Sequence, residues 1–297
     1  MRLIAFYGED AIRTGRIEGD EVVVGGPLDP TGRLGDEFED AIGWPSTDRV
    51  ERFPLEGLEP APITLAPTKI VCVGLNYRDH AAEGGRDAPA RPLLFAKFSN
   101  AIVGDGDPVI RPEGTHALDL EVELGVVIGR RARRVTRDVA MDHVAGYVVV
   151  NDISARDWQG IPQALREGEK GDGQWIRAKG SDTFLPMGPV LVTADELDPA
   201  AGLRLRSWRI DRGGIEHLMQ DGTTADMIHD VPALVTFISS VITLEPGDVI
   251  ATGTPSGVGV FRDPPVFLEP GESVRCEVEG IGSVENPIID WTDAPTA

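Results

Sequence analysis

Asp119-Leu120-Glu121-Val122-Glu123-Leu124-Gly125-Val126-Val127-Ile128 reads as a β-strand that starts polar on one side and ends apolar on both. Side chains alternate across a strand, so Asp119, Glu121 and Glu123 share one face and Leu120, Val122 and Leu124 the other. The apolar run that follows carries the strand into a core. Two glutamates two residues apart at such a border repel each other unless water or a cation separates them. Burying both uncompensated costs on the order of several kcal/mol. A hard divalent cation with oxygen ligands resolves the conflict. A third carboxylate, Asp152, closes another apolar strand, Tyr147-Val148-Val149-Val150-Asn151. Glu121, Glu123 and Asp152 together suit Mg²⁺, Mn²⁺ or Ca²⁺ rather than Zn²⁺ or Cu²⁺. The competing reading is a solvated acidic strand in an acidic protein, and the strand alone leaves both readings open. A carboxylate pair for glycoside cleavage finds no support in the spacing or in an aromatic-rich cleft.

Outward from this strand, the chain is strand-rich after Lys69. Runs at 70–73, 93–98, 121–128, 146–151, 189–193, 203–210, 248–252 and 273–278 predict strands. Helices are expected at 76–83 and at 231–242, the second capped by Asp230 with Pro232 in its first turn. Strands outnumber helices without alternating with them, which predicts a mixed α/β, β-dominated fold rather than a parallel α/β one. Before Lys69, Gly19-Asp20 joins the runs 14–18 and 21–24 as a hairpin. The stretch 25–67 is rich in Pro, Gly and acid and ends as an extended linker. Two domains are expected: a small N-terminal one over residues 1–65 and a catalytic one over residues 66–297.

The charge balance excludes some partners. Lys+Arg 28 against Asp+Glu 49 gives a formal net charge of -21 over 297 residues. Such a surface repels phosphate backbones and anionic lipid, so no nucleic acid and no membrane is expected as a partner. An anionic substrate then needs local positive charge at its site. Lysine is scarce: Lys69, Lys97, Lys170 and Lys179 are the only four. Cys72 and Cys276 fit neither a metal spacing nor a disulfide framework and read as buried and reduced. Without a signal-peptide pattern or an apolar run of about 20 residues, a cytoplasmic location is expected.

Four more segments sharpen the reading. They are 72–83 (CVGLNYRDHAAE), 151–159 (NDISARDWQ), 179–183 (KGSDT) and 252–255 (TGTP). With the Glu121/Glu123 strand, and in this order, they closely resemble the fumarylacetoacetate hydrolase family, from Lys69 to Asn286. The resemblance implies a β-sandwich roll, a homodimer, and Mg²⁺ or Mn²⁺ held by Glu121, Glu123 and Asp152. It implies that the metal chelates the carboxylate and 2-oxo oxygens of a small anionic 2-oxo acid, which supplies the missing positive charge.

Other residues match by position. His80 and Glu83, at i and i+3, match a dyad on a mobile lid in which Glu83 orients His80 and His80 takes a proton from water. Lys179 matches a lysine that stabilises an enolate, with Asp182 as its expected partner. Arg156 and Gln159, on a short helix that Ser154 would cap, match substrate-contacting positions, as does Thr254 in a glycine-rich loop whose amides would approach the substrate. The polar lid, 76–85, is expected to bury little. Lys97, Gln220 and Asp221 lie in family-like segments without an assigned role.

The short N-terminal part and the His80/Glu83 pair resemble the acylpyruvate hydrolase, oxaloacetate decarboxylase and homoprotocatechuate-pathway isomerase branches. The further carboxylate ligand and longer N-terminal domain of members closest to the founding mammalian enzyme have no match here. The leading expectation is a Mg²⁺-dependent hydrolase of aromatic catabolism that cleaves a C–C bond in a 2,4-dioxo acid of acylpyruvate type. The alternative is an oxaloacetate decarboxylase or a hydroxymuconate-type isomerase on the same metal site. A catalytically silent metal-binding or interaction protein is disfavoured, because every polar site position holds a competent residue.

Overall fold

The protein is described from a computed structural model over residues 1–9, 12–27, 51–64 and 66–294. Residues 28–50, most of the expected Pro- and acid-rich stretch, and residue 65 at the expected domain boundary lie outside the described residues.

Among the described residues, eleven strands form one large sheet. Along it run Arg52–Pro54, Glu21–Pro27, Ile12–Glu18, Arg2–Tyr7, Val190–Thr193, Val144–Asn151, Val122–Ile128, Val249–Ala251, Ile70–Gly74 and Leu93–Lys97, with Pro60–Ala61 beside Arg2–Tyr7. A second sheet orders Glu216–Thr223, Arg204–Ile210, Ser273–Val278, Gly282–Asp290 and Val109–Arg111. The two sheets pack face to face, with Val122–Ile128 against Arg204–Ile210 and Ser273–Val278. The fold is β-dominated, as its composition of strand-forming runs predicts.

The sequence places the centre of the large sheet correctly. Val122–Ile128 and Val144–Asn151 are buried along their whole lengths and are apolar on both faces beyond Glu123. Edge strands were harder to see. Glu216–Thr223 carries Glu, His, Gln and Asp and lies at the rim of the second sheet. Gly282–Asp290 is an interior strand of that sheet and is hidden for another reason: it includes Pro287, which still pairs with Ser273 across the ladder.

The expected hairpin at Gly19-Asp20 is present, with Glu18 opposite Glu21. Its strands have their own small core of Ile4, Phe6, Val22 and Val24. The other face of Arg2–Tyr7 sends Leu3 and Ala5 into the main core. The Val231–Ser239 helix is capped as predicted, with Asp230 accepting from the Ala233 amide at 3.0 Å. It ends before 242 because the chain must extend for Leu244 to pair with Ala132. Among the described residues no helix is long and apolar enough to cross a membrane.

Candidate active site

The site forms where central strands of the large sheet end together. Register places Val122 opposite Asn151 and Glu123 opposite Val150. One step beyond the ladder, the Asp152 amide donates to the Glu121 carbonyl at 2.9 Å. The Asn151 side chain takes over from the ladder, its Oδ1 accepting from the Glu121 amide at 3.0 Å. Glu121, Glu123 and Asp152 are thereby turned to one point, each offering an oxygen within 4.8 Å of the others. Asp119 lies outside the Val122–Ile128 strand. It belongs to a separate two-residue strand, Leu118–Asp119. Its carboxylate accepts from the Gly259 and Val260 amides and from Arg156 Nε.

Charge in this region is almost balanced. Asp119, Glu121, Glu123 and Asp152 are buried among Lys97, Arg156 and Lys179, four carboxylates to three cations. Lys179 Nζ donates to Glu121 Oε2 and Asp152 Oδ2, 2.8 Å each. Lys97 Nζ lies 2.7 Å from Asp152 Oδ1, and Arg156 Nη2 lies 2.6 Å from Glu121 Oε1. Burial pushes the Glu121 carboxyl up, but Lys179 and Arg156 outweigh it and hold the group below the usual carboxylate range. Burial acts against the charge of Lys179, yet Asp152 and Glu121 raise its pKa.

Glu123 is the exception. Among the described residues it has no ion pair. It accepts only from the Gly253 amide, at 2.7 Å. Burial, then the neighbouring Asp152 and Glu121, push its carboxyl well above the usual range. A buried all-oxygen trio with one uncompensated charge fits a hard divalent cation. A second trio, His116, Asp157 and Glu169, also gathers. There His116 Nε2 faces the Ala164 carbonyl at 3.1 Å and Nδ1 lies 3.2 Å from Asp157 Oδ2, and Glu169 is exposed, so this trio is less enclosed than the first.

A six-residue helix, Arg78–Glu83, covers this point. It starts two residues later than expected because Asn76 and Tyr77 are drawn into other contacts. Asn76 Nδ2 donates to the His229 and Thr252 carbonyls, and Tyr77 bridges to Met227. The expectation that this segment buries little is corrected: Asn76, Tyr77, His80 and Ala81 are all buried. The dyad forms as the i, i+3 spacing predicts, with His80 Nδ1 2.7 Å from Glu83 Oε1. The other Glu83 oxygen accepts from the Gly257 amide at 2.9 Å. Gly257 sits at φ +104, and a Cβ there would meet the Met219 carbonyl oxygen at 2.3 Å. Asp79 ties the same helix to Ser256 through both its amide and its hydroxyl.

His80, Glu121, Glu123, Arg156, Gln159, Lys179 and Thr254 line one cleft, walled by Phe95, Ile161, Trp175 and Phe261. Glu83 and Asp152 stand directly behind this lining, bonded to His80 and Lys179. Arg156 Nη1 donates to Gln159 Oε1 at 3.1 Å. The Thr254 hydroxyl donates to the Val122 carbonyl.

Three finer expectations are corrected. Asp182 does not pair with Lys179; its Oδ1 accepts from Asn100 Nδ2, because Lys179 is already taken by two buried carboxylates. Ser154 does not cap the Arg156–Gln159 helix, since its hydroxyl donates to the Asp152 carbonyl. The Gly253 amide serves Glu123 rather than facing the cleft.

Two residues that the sequence leaves without a role act as supports. Lys97 fixes one oxygen of Asp152 while donating to the Ile153 and Phe184 carbonyls. Gln220 accepts from the Val122 amide and donates to Thr254 Oγ1 and the Pro255 carbonyl, which locks the carboxylate strand to the glycine loop. The signal for Lys97 was a lysine inside an apolar strand in a chain with only four.

The fumarylacetoacetate (FAA) hydrolase C-terminal family matches residues 69–289. The chain belongs to the fumarylacetoacetate hydrolase family. Within it, the chain is 44% identical over 229 residues to the mitochondrial oxaloacetate tautomerase fahd2 of Xenopus laevis, covering 77% of this chain and 67% of that protein. The human oxaloacetate tautomerase FAHD2A, also mitochondrial, is 43% identical over 77% of this chain and 68% of its own length. Among solved structures, the 2-hydroxyhepta-2,4-diene-1,7-dioate isomerase of Mycobacterium marinum is 36% identical, with a TM-score of 0.75 over 98% of this chain and 99% of that one. The fumarylacetoacetate hydrolase of Exiguobacterium antarcticum reaches a TM-score of 0.80 at 33% identity, over 98% and 99% of the two chains. The two solved structures cover nearly all of this chain, the two curated relatives 229 residues of it.

Proposed function

We propose that this enzyme catalyses metal-dependent enolisation of a small 2-oxo acid, ending in tautomerisation or isomerisation of an oxaloacetate- or dienoate-type substrate. The observation that carries this reading is the His80–Glu83 pair set over three buried carboxylates and Lys179. Glu121, Glu123 and Asp152 would hold Mg²⁺ or Mn²⁺, which supplies a Lewis acid for the carboxylate and 2-oxo oxygens. His80 takes a proton from the carbon next to the carbonyl, and the electron pair moves onto the 2-oxo oxygen. Glu83, fixed by the Gly257 amide, orients the imidazole and stabilises it once protonated. Lys179, kept charged by two carboxylates, offers its ammonium to the charge that develops on that oxygen. His80 then returns the proton to oxygen or to another carbon. Arg156, Gln159 and Thr254 hold the acid in place. The relatives named as oxaloacetate tautomerases and dienedioate isomerases support this chemistry.

A second reading is hydrolysis of a C–C bond in a 2,4-dioxo acid of acylpyruvate type. The same dyad favours it, since a His oriented by a Glu can activate water as readily as it can take a carbon-bound proton. A product panel separates the two. Acylpyruvates, oxaloacetate and muconate-type acids are incubated with the enzyme and Mg²⁺ and the products identified. Proton exchange or isomerisation without carboxylic acid release supports the first reading. Release of pyruvate and a carboxylic acid from acylpyruvates as the fastest reaction moves the second to first place.

A further inference from the structure

Three cationic side chains line the cleft: Lys179, Arg156 and Arg86. Lys179 and Arg156 are buried and committed to Glu121, Asp152 and Asp119. Arg86 differs from both. It is exposed, and among the described residues its guanidinium has no ion pair and no hydrogen bond. Its sequence neighbour Asp87 is exposed too and does not pair with it. A free guanidinium lining the active cleft of a chain with net charge -21 is a positive feature that the enolisation chemistry does not use.

The backbone holds this arginine to the catalytic helix. Gly84 closes the helix, Gly85 turns the chain at φ +64, and the Arg86 amide donates back to the Ala81 carbonyl at 2.9 Å. His80, Glu83 and Arg86 therefore belong to one small unit. The rest of the cleft wall includes the apolar side chains of Phe95, Ile161, Trp175 and Phe261. The lining thus offers a buried oxygen-binding end, a hydrocarbon-compatible wall and one exposed, uncommitted cation.

We propose that Arg86 receives the second carboxylate of a dicarboxylic 2-oxo acid, so that the cleft selects dianions over 2-oxo monocarboxylates. This rests on the enolisation reading, because it places the 2-oxo end at the carboxylate trio. Guanidinium pairs with carboxylate through two parallel N–H donors, which gives direction as well as charge. A lysine in its place keeps the charge and loses the fork.

The test compares exchange at C3 in D₂O for oxaloacetate and for 2-oxobutanoate, which has the same number of carbons and one carboxylate. Both are followed by NMR at fixed Mg²⁺, with enzyme-free rates subtracted, and dissociation constants of both acids are measured alongside. Arg86→Gln lowers kcat/KM for oxaloacetate by about 10- to 100-fold, the scale of a charge-assisted hydrogen bond, chiefly through KM. The preference for oxaloacetate over 2-oxobutanoate falls by at least about tenfold. Arg86→Lys recovers part of that preference. Arg133→Gln removes the same formal charge from an exposed arginine outside the cleft and leaves the preference as it is. An unchanged preference in Arg86→Gln, beside an active wild type, overturns the assignment of Arg86 alone. A wild type that neither binds nor exchanges either acid overturns the enolisation reading and this assignment with it.

Discussion

Lys97→Met tests whether the carboxylate cluster depends on a buried cation beneath it. Lys97 is fully buried, and its ammonium faces Asp152 Oδ1 at 2.7 Å, the Phe184 carbonyl at 2.7 Å and the Ile153 carbonyl at 3.1 Å. It also donates to the Lys179 carbonyl. Burial pulls its pKa down, and the Asp152 charge opposes that pull. Methionine keeps the length of the stem and removes every donor. Asp152 then retains only Lys179 as a cation, and three carbonyls lose a partner. Removing one member of a buried pair costs about 3–5 kcal/mol, since the other charge is left uncompensated. For a chain of this size that lowers Tm by roughly 5–15 °C. The assay is urea unfolding followed by tryptophan fluorescence in EDTA, so that metal affinity does not enter. The double variant Lys97→Met/Asp152→Asn removes the stranded charge and should be more stable than the sum of the single losses predicts, by at least about 1 kcal/mol. A loss below about 1 kcal/mol for Lys97→Met, or strict additivity in the double variant, refutes the reasoning.

Two further predictions concern chemistry and acid stability. His80→Ala should lower C3 proton exchange by about 10²-fold or more, the scale of a positioned general base, whereas Lys179→Ala should depress exchange and any decarboxylation alike, both measured at saturating Mg²⁺ with folding checked by circular dichroism. Glu272 is held by Arg209 through two bonds of 2.6 and 2.8 Å; burial pushes its carboxyl up, but Arg209 and the Glu269 amide bring it below its ordinary value. A depressed carboxyl stabilises the fold above its unfolded pKa and loses that contribution as pH falls through the folded one. Glu272→Gln should therefore be less stable than wild type at pH 7 by up to about 1 kcal/mol, and the gap in urea midpoints should close as the pH falls below about 4.

The centre of the fold was legible because its strands are extreme. Val122–Ile128 and Val144–Asn151 are apolar on both faces, a pattern that only a doubly covered strand tolerates. Glu123 stood out for the same reason, as a charge where the chain is otherwise buried. The His80–Glu83 spacing needed only helical geometry. What escaped depends on contacts between distant segments. Lys97 meets its carbonyls 56 and 87 residues away, and nothing near it in sequence announces them. The Asp182 expectation fails because nearness in sequence does not make a partner: Lys179 reaches across to Glu121 instead. The edge strand Glu216–Thr223 was missed because its polar side chains are tolerated at a rim. Arg86 carried no signal at all until the fold set it in the cleft wall.

The most direct test of the account is exchange at C3 of oxaloacetate in D₂O, followed by NMR against an enzyme-free control at the same Mg²⁺. Three samples suffice: wild type with Mg²⁺, wild type with EDTA, and Glu123→Gln with Mg²⁺. Glu123 is the buried carboxylate without a cation partner, so its neutral isostere should remain folded and lose the metal. Rapid exchange is expected in the first sample and the enzyme-free rate in the other two. Exchange above background in EDTA, or undiminished exchange in Glu123→Gln, would contradict metal-dependent enolisation.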